Sequence, residues 1–181
     1  MSSSKASASA VKRVALVASM AALGNVLAFV SMGVAPIIGT QVALDLSHVA
    51  TLIVAMYCGP YYGLVTGALV ALAPYYQFGV LGAYGPLLGL LILPGKGLTG
   101  LFMGFLARRL RPFVSVLLSF IPECIYTYVF TKYVTLIVLN FSLPDPVIFA
   151  ILTKGWLEIA IMAFLMEIIK KRRIMESIFV Q

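Results

Sequence analysis

Residues 45–74 read DLSHVATLIVAMYCGPYYGLVTGALVALAP, two apolar runs joined by the corner Cys58-Gly59-Pro60. Proline removes a backbone donor and biases the residue before it away from the helical region, so the first run ends at this corner. Beyond it Gly59, Gly63, Gly67 and Ala71 recur every four residues and share one face of the second run. A face without side chains lets another helix backbone approach closely. The stretch therefore predicts a helix hairpin buried in lipid, with Gly59, Gly63 and Gly67 forming a groove for a partner. Asp45 stands before the first run, placed to cap it and to meet the positive end of its dipole.

Composition fixes the solvent of the whole chain. Of its 181 residues 62% are hydrophobic and only 10% are charged, and mean hydropathy is +1.06. Soluble domains carry roughly 25% charged residues, so this chain cannot cover a water-facing surface. A spanning helix takes about 20 apolar residues, which predicts an all-α integral membrane protein, a bundle of about six transmembrane helices. The apolar runs are continuous and lack the alternation of a membrane β-barrel.

The net charge of +7 would suggest nucleic acid in a soluble protein. Here the basic residues sit at helix ends: Lys12 and Arg13 before the first run, Arg108, Arg109 and Arg111 after the fourth, Lys170 to Arg173 after the last. With all three clusters inside, the positive-inside rule gives both termini cytoplasmic, and no nucleic acid partner is expected. Residues 1–10 are small and polar and predict a disordered tail, leaving 11–181 as one membrane domain. Cys58 and Cys124 both fall in apolar runs and read as small core residues. His48, one turn into the second run, reads as a satisfied interior histidine.

Outward from the hairpin, the first span carries the stripe Ala15, Ala18, Ser19 and Ala22, which suits packing within the chain or an exposed docking face. Residues 33–44 contain Pro36, Gly39, Thr40 and Gln41 and predict an external or re-entrant segment. Residues 74–85, PYYQFGVLGAYG, place Tyr84 and its neighbours at the outer boundary, as an aromatic belt or a loop over a cavity. Pro94-Gly95-Lys96-Gly97 predicts a break in the fourth span. Gly89 and Gly97 fall at the wrong positions for a phosphate-binding loop, so no nucleotide site is encoded there.

Charges inside the spans cost a few kcal/mol each and face the bundle interior. Lys96, Glu123, Lys154 and Glu158 lie at such depths, Glu123 roughly 16 Å along its helix from the basic end. Lys132 reads as snorkelling outward. Lys154 and Glu158, four apart, suit a structural ion pair, while the set as a whole predicts a polar cavity opening on the side of Gln41, Tyr84 and Asn140. The excess of lysines leans toward a ligand with an anionic group. No nucleophile–base pair or metal cluster is present, so no enzyme activity and no cofactor are expected.

Small-residue spacing at Ala18 and Ala22, DLSHVATLI leading into CGPYYGLVTGAL, and PGKGLTGLFMGFLARRL on the fourth span resemble the substrate-binding S component of energy-coupling factor (ECF) vitamin transporters. The resemblance implies that the first three helices meet a transmembrane coupling subunit through Ala18 and Ala22, with partner ATPases supplying the energy. It implies a vitamin or related micronutrient, riboflavin and pantothenate among them, held by the later helices and loops. By region that assigns Tyr84, Lys96, Glu123, Asn140, Lys154 and Glu158 to the substrate, and it implies capture outside followed by toppling within the cell membrane. A stand-alone channel or carrier and a non-transport interaction protein are the competing readings.

Overall fold

Proline marks where six of the helices among the described residues begin. The computed structural model describes residues 2–34, 45–82, 85–140 and 142–172, which are helical almost throughout, with no strand among them. In order they form α1 (Ser2–Val34), α2 (His48–Cys58), α3 (Pro60–Val70), α4 (Leu72–Pro74), α5 (Gly85–Gly89), α6 (Ile92–Leu106), α7 (Pro112–Ser119), α8 (Ile121–Val129), α9 (Thr135–Leu139) and α10 (Asp145–Lys171). A π-helical stretch, Tyr75–Val80, follows α4, and another, Phe130–Val134, joins α8 to α9. Pro60, Pro86, Pro94, Pro112, Pro122 and Pro146 all fall in the first turn of a helix, where the missing N–H has no intrahelical partner to lose. The break expected at Pro94 to Gly97 therefore lies earlier, at Leu90 and Leu91, and Gly95, Lys96 and Gly97 continue α6.

Five helical segments are long and apolar enough to cross a bilayer: Ala10–Gly33, Pro60–Val80, Gly85–Leu106, Pro112–Val138 and Asp145–Lys171. The sixth expected span, α2, has only 11 residues. At 1.5 Å per residue that is roughly 16 Å, about half a hydrocarbon core. α1 runs back to Ser2 and takes in the polar residues 2–10. Leu23, Phe29, Leu87, Ile125, Ile137 and Phe164 face outward, while Lys96, Glu123 and Glu158 are buried. This inversion of a soluble protein suits a helical membrane bundle.

The glycine face is filled from within the chain. A Cβ on Gly63 would stand 2.5 Å from the Gly100 carbonyl oxygen, and one on Gly67 would strike the Lys96 carbonyl. Gly59 and Pro60 lie in the same way against Gly104. The assignment of Gly59, Gly63 and Gly67 to a partner interface is thus corrected: α6 occupies their groove. Gly59 has a second duty, since its φ of 99° turns the chain from α2 into α3.

α1 packs on α2, α3 and α4 through Val17, Ala21, Gly24 and Ala28. Ala18 and Ala22 point the other way and are exposed. Asn25 fastens α1: its Nδ2 donates to the Leu69 carbonyl at 2.9 Å and its Oδ1 accepts from the Ala73 amide at 2.7 Å. Leu69 and Ala73 are four apart, a pair that bonds directly in an unbroken helix, so the carboxamide bridges the junction of α3 and α4. Asn25→Leu should lower stability by about 1–2 kcal/mol, seen as a fall in melting temperature in detergent.

One end of the bundle is basic. The Arg13 guanidinium lies 5.9 Å from the Tyr62 ring centre and Lys170 Nζ lies 5.4 Å from that of Tyr57. Arg108 reaches the backbone at Gly59. The start of the first span, the α2–α3 corner and the ends of α6 and α10 therefore share this end. Since the C-terminus of α2 is here, its N-terminus opens about halfway through the bundle. Leu52, Met103, Val116, Met162 and Met166 fill the space between α2, α6, α7 and α10 below it.

Candidate functional site

Asp45, Ser47 and His48 open a short helix against residues from α6, α8 and α10, all at mid-bundle depth. The Asp45 amide donates to Glu158 Oε1 at 2.7 Å, and Glu158 sits near the middle of the 27-residue α10. A carboxylate at the head of a helix is favoured by the dipole and takes up a free amide. The Asp45 side chain has a different task from the cap expected of it. Its Oδ1 accepts from the Ser47 amide at 2.9 Å, and its Oδ2 accepts from Lys96 Nζ at 2.8 Å. Lys96 also donates to Ser47 Oγ at 2.6 Å, so two of the three donors of the α6 lysine are tied to the head of α2.

Glu123 lies opposite, in the first turn of α8. Its Oε2 accepts from the Thr99 hydroxyl, and its Oε1 is 3.6 Å from His48 Nε2. His48 is only 5% exposed and its Nδ1 has no hydrogen-bond partner among the described residues. An unpartnered buried nitrogen costs about 1–3 kcal/mol of desolvation, and the histidine expected to be satisfied is therefore half unsatisfied. Lys154 reaches Glu158 Oε1 at 3.4 Å, the (i, i+4) pair the spacing predicts.

Between these groups is a cleft of about 190 Å³, lined by Asp45, His48, Glu123, Lys154 and Glu158 with Phe120, Thr127, Ile151, Leu152, Gly155 and Ile159. Its position against Thr127 and Ile151 runs from mid-bundle away from the basic end. Phe120 forms an apolar wall, held edge-on by Trp156 with ring centres 5.4 Å apart. Gly155 makes room for that wall, since a Cβ there would come within 2.8 Å of Phe120 Cζ. A larger hollow, about 330 Å³, lies at Arg111, Phe113, Val114, Phe164 and Glu167. It is open on the outside of the basic end, and we place the site at the smaller cleft, where buried polar groups converge.

Of the residues expected to bind substrate, Glu123, Lys154 and Glu158 come together at this cleft. Lys96 stands behind them, spent on Asp45 and Ser47. Asn140 is exposed and ends α9 in the left-handed conformation, with φ 51°, a turn role that asparagine tolerates well. Tyr84 and residues 35–44 lie outside the described residues. Lys132 pairs with Asp145 at the other end of α8 and α9, instead of reaching outward alone. Cys58 and Cys124 are free and half-buried. Phe120 and Gly155 escaped sequence reasoning, and His48 was read as a satisfied interior residue although its place one turn from Asp45, at the head of an apolar run, was a signal.

The cleft can hold a small ligand by hydrogen bonds, ion pairing and ring contact. Among the described residues no three His, Cys, Asp or Glu side chains come together as a metal site. Comparisons with family models, curated proteins and solved structures give no match to this chain.

Proposed function

We propose that the chain is the substrate-binding S component of an ECF-type transporter, capturing a vitamin or related micronutrient for uptake driven by partner ATPases. The observation that carries this reading is the cleft at the head of α2, where a buried histidine nitrogen without a partner among the described residues joins carboxylates from two other helices. A helix that starts in mid-bundle directs the positive end of its dipole at the cleft, an arrangement that membrane transporters use for substrate groups. Two further features support it. Ala18 and Ala22 present small side chains to the outside of α1, where a coupling subunit would meet the bundle. The basic end gathers Arg13, Arg108 and Lys170, which by the positive-inside rule faces the cytoplasm and turns the cleft outward in the cell membrane.

The purified chain in detergent should be stabilised by one member of a panel of riboflavin, pantothenate, folate, thiamine and biotin, read as a rise in melting temperature. Ala22→Trp should keep that rise and lose copurification with a coupling subunit. No stabilising micronutrient together with no copurification would defeat the proposal. Glu123 and Glu158 at mid-bundle depth also suit an ion-driven carrier; uptake by liposomes containing this chain alone would favour that second reading.

A further inference from the structure

Charge in the cleft does not balance. Asp45, Glu123 and Glu158 bring three carboxylates to mid-bundle, and Lys96 and Lys154 bring two ammonium groups. Lys96 is held by Asp45 and Ser47, and Lys154 by Glu158. Among the described residues Glu123 is left with the Thr99 hydroxyl and with His48 at 3.6 Å, whose other nitrogen has no hydrogen-bond partner among them. Lys132 pairs with Asp145 away from the cleft, and Arg13 and Arg108 stand at the basic end. Residues 35–44, APIIGTQVAL, add no ionisable side chain. A carboxylate in a membrane interior costs several kcal/mol until a positive charge joins it.

We infer that the cleft takes a compact aromatic cation or amidine, whose charged N–H or ring nitrogen lies against Glu123, whose donor meets His48 Nδ1, and whose ring lies on Phe120. This rests on the reading of the cleft as a substrate site and names its ligand class. The aromatic face adds a cation–π contribution. The cleft, about 190 Å³, falls below the roughly 300–1,000 Å³ of drug-sized sites, which favours a single ring over a tricyclic one. The lysines of the sequence lean toward an anion, and the geometry reverses that lean because Lys96, Lys132 and Lys154 each already have a carboxylate.

Sets of near-isosteric probes separate charge from shape: benzamidine against benzamide and benzoate, and 1-methylnicotinamide against nicotinamide and nicotinate. Binding to the full chain in detergent is measured by calorimetry. At least one cation should bind, its amide about tenfold or more weaker, and its carboxylate not at all. Glu123→Gln keeps an acceptor for Thr99 and should cut cation binding about tenfold or more while narrowing the preference over the amide. Thr127→Leu, which fills the cleft without touching the charges, should weaken all binding and provides a second test if Glu123→Gln fails to fold. Binding of a carboxylate or of pantothenate in preference to every cation overturns the inference and leaves the transport reading standing. Silence of all the cations overturns it too, and the transport reading then depends on copurification with a coupling subunit.

Discussion

Gly100→Ala should lower the melting temperature of the purified protein by about 6–12 °C, the fall expected for a loss near 3 kcal/mol in a chain of this size. The reason is geometric. A Cβ on Gly100 would land on the Gly63 carbonyl group and come within 2.8 Å of Thr51 Cγ2. Backbone atoms cannot rotate aside as a side chain can, so α3 and α6 must separate along their whole crossing. In lipid there is no hydrophobic force between helices to offset the lost contact; close packing itself holds them. Separation would also carry Lys96 and Thr99, which stand on α6, away from Asp45 and Glu123, so ligand binding should weaken together with stability. Gly33→Ala is the control, because nothing lies within 4 Å of a Cβ there. Equal melting temperatures for the two variants would mean that the α3–α6 crossing is not what holds the bundle.

The same glycines explain how far the sequence could be read. Their four-residue spacing announced a close helix contact, and the contact is there. Which helix fills the groove was not legible, because Gly97, Gly100 and Gly104 form a matching face on α6 whose alignment with α3 depends on the fold. Small residues also looked alike on α1, where only packing separates Ala21, turned inward, from Ala22, turned out. Hydropathy revealed the spans but not their depth: α2 reads as an ordinary apolar run, and its start at mid-bundle is fixed by Glu158, 113 residues away. Glu123, Lys154 and Glu158 were legible as the lining of a polar cleft because charge in an apolar helix is expensive wherever the helix lies. His48 and Phe120 were not, since a histidine and a phenylalanine in apolar runs satisfy the burial pattern with or without a cleft beside them.

Lys96→Met should destabilise the bundle by about 3–5 kcal/mol, the cost of leaving one partner of a buried ion pair behind. Lys96 is 6% exposed, and removing its ammonium leaves Asp45 with only the Ser47 amide among its described donors. The variant should melt about 6–20 °C lower, or fail to leave the membrane as a single species. Asp45→Asn placed in the Lys96→Met background removes the stranded charge. It should recover most of the loss, since a buried ion pair replaced at both ends is often close to neutral. The recovery is a coupling energy, and a double-mutant cycle in melting free energy reads it directly. Its size also reports on the cleft. The Asp45 amide meets Glu158 through the backbone, which neither substitution removes, so a recovered double variant that still binds ligand would show Lys96 to be a latch for the head of α2. A double variant that folds but no longer binds would instead place the Lys96–Asp45 charges in the binding free energy. Additive losses in the cycle would refute the coupling altogether, and the head of α2 would then be held by Glu158 and packing alone.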